Sequence, residues 1–339
     1  MEKLLYLVHR IPFPPNKGDK IRSFHLLKSL AKQYQVYLGA FVDDDEDWQY
    51  SEQLQDYCDE CKLVALNPAK AKIVSLKGFL TGQPLTLPYY ESGKMQQWVN
   101  QVVAEHDIDK ILVFSSAMAQ FVEGDRFESC RRIIDFVDID SDKWAQYSVS
   151  KSWPMSWIYQ RESRKLLTYE KRIAEQFDMS LFVSPAEADI FKGLAPESKS
   201  KIDFWNNGVD SDYFTPKGNY ENPYGENELA IVFTGAMDYW ANVDAVEWFV
   251  EHVFNKLSAS YPALYFYIVG SKPTEQVKAL AQYPNVVVTG RVPDVRPYLN
   301  SAVCAVAPMR IARGIQNKVL EAMAMECCVL TSPSGAEGI

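Results

Sequence analysis

The chain has 339 residues, 47% of them hydrophobic, which is enough apolar material for two cores, since single domains tend to split beyond roughly 250–300 residues. The formal net charge of -9 argues against a general nucleic-acid binder, whose phosphate contacts need clustered Lys and Arg. Charged residues make up 23% and are spread along the chain, so most of it is expected to fold.

The opening MEKLLYLVHRIPFPP has only a short apolar run before His9 and Arg10. It lacks the long apolar stretch and small-residue cleavage site of a signal peptide. No run of about 18 or more apolar residues appears, so no spanning helix is expected. The six cysteines include the adjacent pair Cys327 and Cys328; they suggest no disulfide framework, and a reducing, cytoplasmic setting is the simplest expectation.

A first strand, KLLYLV (3–8), passes through the Pro/Gly loop IPFPPNKGDK into the apolar-periodic IRSFHLLKSLAKQY. A second strand, VYLGAFV, is followed by the acidic run DDDED (43–47), which reads most simply as a charged, solvated loop. This strand–loop–helix–strand order is how a parallel sheet begins. CKLVAL, KILVFS, RRIIDFV and SLFVS are further strand candidates, with helices expected near 94–105, 117–122, 155–176 and 186–192. After the polar stretch TPKGNYENPYGENE (215–228) the texture repeats. The strands LAIVFTGAM, ALYFYIVG, NVVVTG, CAVAPM and CVLTS alternate with the helices DAVEWFVEHVFNKLSASY, TEQVKALAQY, a short one at VRPYLN, and NKVLEAMAM. That is a second doubly wound unit. Ligands of such sheets sit at the carboxyl ends of the strands, so two facing units are expected to form a cleft. The last segment, SPSGAEGI, follows a strand that would normally lead into another loop and helix, so the second unit is expected to be a fragment of a longer domain.

The strongest local signal is RGIQNKVLEAMAM (313–325). Gly314 loosens the turn and the chain enters a helix near Asn317, where free amides and the positive end of the helix dipole suit a diphosphate. Lys318 adds a point charge, and Glu321, one turn in, is placed to accept from ribose hydroxyls. The plainer reading is an amphipathic helix with Leu320, Met323 and Ala324 in the core and Glu321 solvated. In the first unit, Gly18 permits close backbone approach to a ligand, and Arg22 lies about a turn into the helix; the alternative is a plain strand-to-helix connection with Arg22 in solvent. His9 ends the first strand, as a cleft residue or a structural histidine.

Asp135, Asp138, Asp140 and Asp142 follow the strand RRIIDFV, and Asp138-Ile139-Asp140 reads as D-x-D, a pattern that elsewhere holds a divalent metal. Three residues cannot establish a metal, and none is expected; Asp138 is read as an acceptor-hydroxyl contact or base, the other aspartates as caps of the next helix. Residues 143–172 carry seven Lys/Arg against two Glu, with Trp144, Trp153 and Trp157 interleaved. This reads either as a surface for anionic lipid or a lipid-linked acceptor, or as a solvated helix with aromatic anchors in the core. Cys58-x-x-Cys61 has no partner pair or nearby His, which gives little ground for zinc or redox chemistry.

KVLEAMAM, then a strand and SPSGAEGI, resembles the donor-site segment of glycosyltransferase family 4, written E-G-F-G-x-P-x-x-E-A-M-A. NNGVDSDYF (206–214) resembles that family's hinge signature, and PPNKGDKIR its N-terminal glycine loop. FTGAMDYWANVDAVEWF, DFVDIDSDKWAQY and ARGIQNKVLEAMAM together resemble the sugar transferases of exosortase/PEP-CTERM exopolysaccharide systems. The resemblance implies an α/β fold of the GT-B kind, two Rossmann-like doubly wound parallel-sheet domains: residues 1–205 for the acceptor, 206–228 as hinge, and 229–339 for the nucleotide-sugar donor. It implies transfer of a sugar from a UDP- or GDP-linked donor to a glycan or lipid-linked acceptor, with retention and no cofactor, at the inner face of the cytoplasmic membrane. By position Glu321 matches the ribose-holding glutamate, while Arg313 stands where the family has its sugar-contacting glutamate and is free to clamp a phosphate. GAMDYWAN replaces the family's basic pair, leaving Lys318 and Arg313 to stabilise the departing diphosphate. The expected donor set is Gly18, Gly235, Arg313, Gly314, Gln316, Asn317, Lys318 and Glu321; Arg22 and Asp138 are expected on the acceptor side, and Asp138, His9 and Lys318 in catalysis. A sugar-nucleotide epimerase and a non-catalytic nucleotide-sugar-binding subunit are the rivals. A Rossmann oxidoreductase is disfavoured because no G-x-G-x-x-G follows either first strand.

Overall fold

The computed structural model describes residues 1–15, 18–149, 151–312 and 314–339. Contacts divide the chain into two units, Met1–Asn206 and Asn207–Ile339. The first is built on seven strands, β1 (Glu2–Val8), β2 (Tyr34–Val42), β3 (Glu60–Ala65), β4 (Lys110–Phe114), β5 (Arg131–Val137), β6 (Met179–Phe182) and β7 (Ile202–Phe204). They lie in the order β3-β2-β1-β4-β5-β6-β7, all in parallel register. The central strands read as continuous apolar runs because helices cover both faces of such a sheet; Leu4 to Val8 of β1 are all buried. The helices are α1 (Gly18–Leu30), α2 (Pro68–Ser75), α3 (Lys77–Thr81), α4 (Thr86–Tyr89), α5 (Gly93–Glu105), α6 (Asp140–Val149), α7 (Met155–Gln176) and α8 (Pro185–Leu194). Side chains of Asn67, Ser92 and Ser184 accept from the first-turn amides of α2, α5 and α8, the usual way of satisfying groups the helix itself cannot.

The second unit has five parallel strands, β8 (Leu229–Thr234), β9 (Leu264–Val269), β10 (Val286–Gly290), β11 (Cys304–Ala307) and β12 (Val329–Thr331), ordered β10-β9-β8-β11-β12. Its helices are α9 (Trp240–Phe249), running through a π-helical turn at Val250–Phe254 into α10 (Asn255–Ser260), then α11 (Glu275–Ala279), α12 (Arg296–Ser301) and α13 (Asn317–Ala324). Residues before β8 belong to this unit: the Tyr224 ring lies in its core, and its hydroxyl donates to the Tyr298 carbonyl at 2.6 Å. In both sheets the strand order reverses beside the first strand, at β1/β4 and β8/β11, which is where α/β sheets open a crevice for ligands.

Several expectations need correcting. The acidic run 43–47 is not a solvated loop. Asp43 makes a two-pronged pair with Arg10, and Asp47 is buried against the fully buried Lys20 ammonium at 2.6 Å. Residues 116–122 form a 3-10 turn rather than an α-helix. In α13 the buried positions are Val319 and Ala322, while Met323 is 52% exposed, so the helix is rotated from the core-facing arrangement of Leu320, Met323 and Ala324.

Candidate functional site

The second unit gathers its polar groups where its strand order reverses. β8 ends at Gly235, and α9 carries Asn242 back beside it. An added Cβ on Gly235, at φ +154°, would lie 2.8 Å from the Asn242 amide nitrogen. At the end of β9, a Cβ on Gly270 would sit 1.6 Å from the Gly235 carbonyl oxygen. Both positions therefore demand glycine, and the two strand ends touch backbone to backbone. The buried Asn242 donates to the Ala236 carbonyl at 2.9 Å and accepts from the Lys318 ammonium at 2.7 Å. Lys318 also lies 4.7 Å from the centre of the Phe233 ring, a favourable place for a cation.

Lys318 stands in the first turn of α13. Gln316 caps this helix only through its backbone, since its side chain turns to the Gly314 carbonyl at 3.1 Å. The amides of Asn317 and Lys318 thus have no capping side chain among the described residues. Gly314 takes φ +67°, a left-handed turn that side chains other than glycine rarely adopt, and Asn317 accepts from the Asn207 amide at 3.4 Å. Glu321 follows one turn later, half-buried. Burial pushes the Lys318 ammonium down to about 8, opposed by the Glu321 charge. It pushes the Glu321 carboxyl up to about 6, opposed by Lys318. A cation, a carboxylate and free helix amides thus share one partly dry corner, suited to an anionic ligand carrying hydroxyls. Of the expected donor residues, Gly235, Gly314, Gln316, Asn317, Lys318 and Glu321 belong to this unit; Arg313 lies outside the described residues. Asn242 was not foreseen: its only signal was GAMDYWAN standing where a basic pair was expected.

In the first unit, His9 closes β1 with its ring stacked on Phe114 and edge-on to Tyr90. Its Nε2 is 3.4 Å from Asp19, and its buried Nδ1 has no partner among the described residues. Burial works against the Asp19 charge, but His9 and Arg10 outweigh it and hold that carboxyl well below the ordinary range. Asp138 follows β5 and pairs with Lys143 at 2.8 Å; Asp140 shares that lysine at 3.4 Å. Beneath them the buried Glu170 accepts from the Ser141 amide and hydroxyl. Burial, then the Asp140 charge, lifts its carboxyl to about 8. Glu170 and Glu187, which accepts from the Ile139 amide, thus satisfy the start of α6, a task expected of the aspartates. Asp135 is not a cap but a buried partner of Arg22, at 2.8 Å. Arg22 also donates to the Trp205 carbonyl at 2.7 Å, so it braces α1 against β5 and the end of β7 rather than standing in solvent. Gly18 opens α1 with no atom within 4 Å of an added Cβ. Among the described residues, no three His, Cys, Asp or Glu are grouped to hold a metal ion, and no helix is long and apolar enough to cross a membrane.

Residues 228–339 match the family model described as Glycosyl transferases group 1. The chain resembles the crystal structure of WaaG, a glycosyltransferase involved in lipopolysaccharide biosynthesis, with a TM-score of 0.65, 15% identity, and coverage of 98% of this chain and 82% of that one. It also resembles HepE of Anabaena in complex with UDP-glucose (TM-score 0.60, 13% identity, 99% and 81% covered). A third similar structure is an E. coli protein described as trehalose-6-phosphate bound with UDP-2-fluoro glucose (TM-score 0.60, 10% identity, 98% and 85% covered). No curated protein matches the chain. The fold is GT-B, and with the group 1 domain in the second unit the chain is a glycosyltransferase.

Proposed function

We propose that the second unit binds a nucleotide-activated sugar at the mouth of α13 and that the enzyme transfers the sugar, with retention, to a glycan or lipid-linked acceptor in exopolysaccharide assembly. The observation that carries this reading is Lys318, held by Asn242 over Phe233 beside the free amides of α13, with Glu321 one turn in. The bond between the anomeric carbon and the diphosphate breaks, and charge collects on the leaving oxygen. The Lys318 ammonium and the helix amides stabilise that charge more in the transition state than before it. Glu321 accepts from ribose hydroxyls and orients the donor. The new bond forms to an acceptor hydroxyl oxygen whose proton passes to a base on that side, for which the residues proposed are Asp138 and His9. No metal or other cofactor has a part in this scheme, since the cation it requires is a side chain. The structures of HepE with UDP-glucose and of the E. coli protein with UDP-2-fluoro glucose support a uridine nucleotide as the first donor to try.

The likeness of 313–325 and 206–214 to family 4, and of the longer segments to PEP-CTERM sugar transferases, supports retention and the exopolysaccharide setting. The basic, Trp-bearing stretch 143–172 supports peripheral attachment to an anionic membrane on the cytoplasmic side. A thermal-shift and calorimetric panel of UDP, GDP and their sugar conjugates tests the donor assignment. A UDP- or GDP-sugar should raise the melting temperature, and Glu321→Gln should blunt the rise. Stabilisation that Glu321→Gln and Lys318→Ala leave untouched would refute it. Consumption of the donor with no acceptor, yielding an isomeric sugar nucleotide, would favour an epimerase.

A further inference from the structure

α2 and α3 are built inside out. Their inward positions are Ala71, Ser75 and Gly78, all buried. Gly78 sits so close beneath its neighbours that an added Cβ would lie 3.0 Å from the Gln83 carbonyl oxygen and 3.1 Å from Leu85. The large apolar side chains point the other way: Ile73 is 71% exposed, Leu76 53% and Leu80 91%. Spaced three and four apart, they form one stripe along the outside, the reverse of what a helix on a protein surface presents to water. Next to the stripe, α3 is locked onto α7. The Phe79 ring stacks on Trp157 at 6.0 Å, and the Arg161 guanidinium lies 4.7 Å from the centre of the same Phe79 ring while donating to the Gly78 and Gln83 carbonyls. Trp153, Trp157, Met155 and Val149 are exposed in the same region.

The charges around this face are of one sign. Residues 66–90 contain Lys70, Lys72 and Lys77 and no Asp or Glu. The two glutamates within 143–172 are both turned inward and buried. Glu162 accepts from the Leu85 and Thr86 amides, and Glu170 from Ser141. What remains outside is cationic, with Lys70, Lys72, Lys77, Lys151, Arg164 and Lys165 all exposed; the Lys77–Glu91 pair at 3.1 Å is the neighbouring exception. In a chain of net charge -9 this is a segregated patch. Two copies brought together here would set cation against cation, whereas an anionic bilayer supplies the opposite charge and an apolar layer just beneath it. Lys and Arg attract anionic headgroups, and Trp with aliphatic side chains partitions into the interfacial zone.

We propose that α2, α3 and the start of α7 form a docking surface in which Ile73, Leu76 and Leu80 insert shallowly into an anionic membrane interface while the surrounding lysines and arginines hold the headgroups. This rests on the reading of 143–172 as a membrane contact and adds the apolar stripe that makes the contact an insertion. The test uses the full chain with vesicles of equimolar phosphatidylglycerol and phosphatidylcholine, against phosphatidylcholine alone, read by co-sedimentation and by quenching of tryptophan with brominated lipid. The wild type should bind the anionic vesicles at least about tenfold more tightly and be quenched by shallow bromines. Ile73→Ser/Leu76→Ser/Leu80→Ser should lose about tenfold in binding, and the quenching with it, at a little-changed melting temperature, because Ile73 and Leu80 stand largely in solvent and Leu76 is half exposed. Arg164→Glu/Lys165→Glu should lose more than about tenfold. If the triple serine variant binds and is quenched like the wild type while the charge variant releases, the insertion is overturned and the basic contact survives. If the wild type binds neither vesicle, or the charge variant binds undiminished, the basic contact falls and the insertion with it. Self-association of the wild type that the serine variant abolishes, seen by sedimentation velocity without lipid, would make this face a contact between copies and overturn the proposal.

Discussion

Replacing Lys318 by alanine removes the cation from the mouth of α13 and leaves its surroundings in place. Preorganised groups that stabilise developing charge are worth on the order of 10²–10³ in rate when one is removed, or about 3–4 kcal/mol. We expect Lys318→Ala to lose that much in kcat/KM for the nucleotide sugar. The fold should be little affected. The Asn242 carbonyl oxygen loses its partner, at a cost of about 1 kcal/mol, but a cation that burial already disfavours is gone as well. The midpoint of urea unfolding should therefore correspond to a change within about 1 kcal/mol. The pH profile gives a separate check. In the free enzyme the Lys318 ammonium, at about 8, is charged below that pH and neutral above it. The Glu321 carboxyl, at about 6, is ionised above that pH and neutral below it. Both groups carry their useful charge between those values, so kcat/KM should fall on the acid side of about 6 and on the alkaline side of about 8. Lys318→Ala should abolish the alkaline limb alone. Steady-state release of the nucleoside diphosphate measures both. Turnover within about threefold of the wild type, or an alkaline limb that survives, would refute the role given to this lysine.

Three further outcomes follow from the same geometry. Glu321→Gln should weaken nucleotide-sugar affinity by about tenfold or more in titration calorimetry, the scale of a hydrogen bond to a charged group, and should remove the acid limb. Gly270→Ala should cost about 3 kcal/mol in urea unfolding, because its Cβ meets the Gly235 carbonyl at 1.6 Å and backbone cannot swing aside. Arg22→Ala should cost about 3–5 kcal/mol by leaving Asp135 buried without its partner. That loss should shrink as pH falls, since protonation neutralises a carboxyl that burial already pushes up.

Most of the fold could be read from local pattern. RRIIDFV and the helix over 155–176 appear with the expected bounds, because a buried strand and a long amphipathic helix carry their periodicity in their own residues. β7 was missed, since three residues, Ile202–Phe204, are too few to show a period. α2 and α3, of eight and five residues, were missed because both are short and their buried positions, Ala71, Ser75 and Gly78, are small, so no large apolar face marks a core-facing side. The acidic run 43–47 was misread because its partners Arg10 and Lys20 come from the first loop and helix, a tertiary fact that local sequence does not hold. At the candidate site, the helix start near Asn317 picked out Lys318 and Glu321 along one helix, and the resemblance added the match of Glu321 to the ribose-holding glutamate. Asn242 lies 76 positions from the lysine it holds, and nothing in either segment announces the pairing.

If the donor seats at α13 as proposed, the half-buried Lys318–Glu321 pair makes its capture a proton-linked event. With the site empty, burial keeps both groups nearer to neutrality than they are in water. A diphosphate arriving beside the amine restores its preference for the charged form. Near pH 8 the enzyme must then draw hydrogen ions from its buffer as the donor seats. The observed heat of association will consequently track the ionisation enthalpy of whichever buffer is chosen, a dependence that a nucleotide resting elsewhere on the surface would not produce.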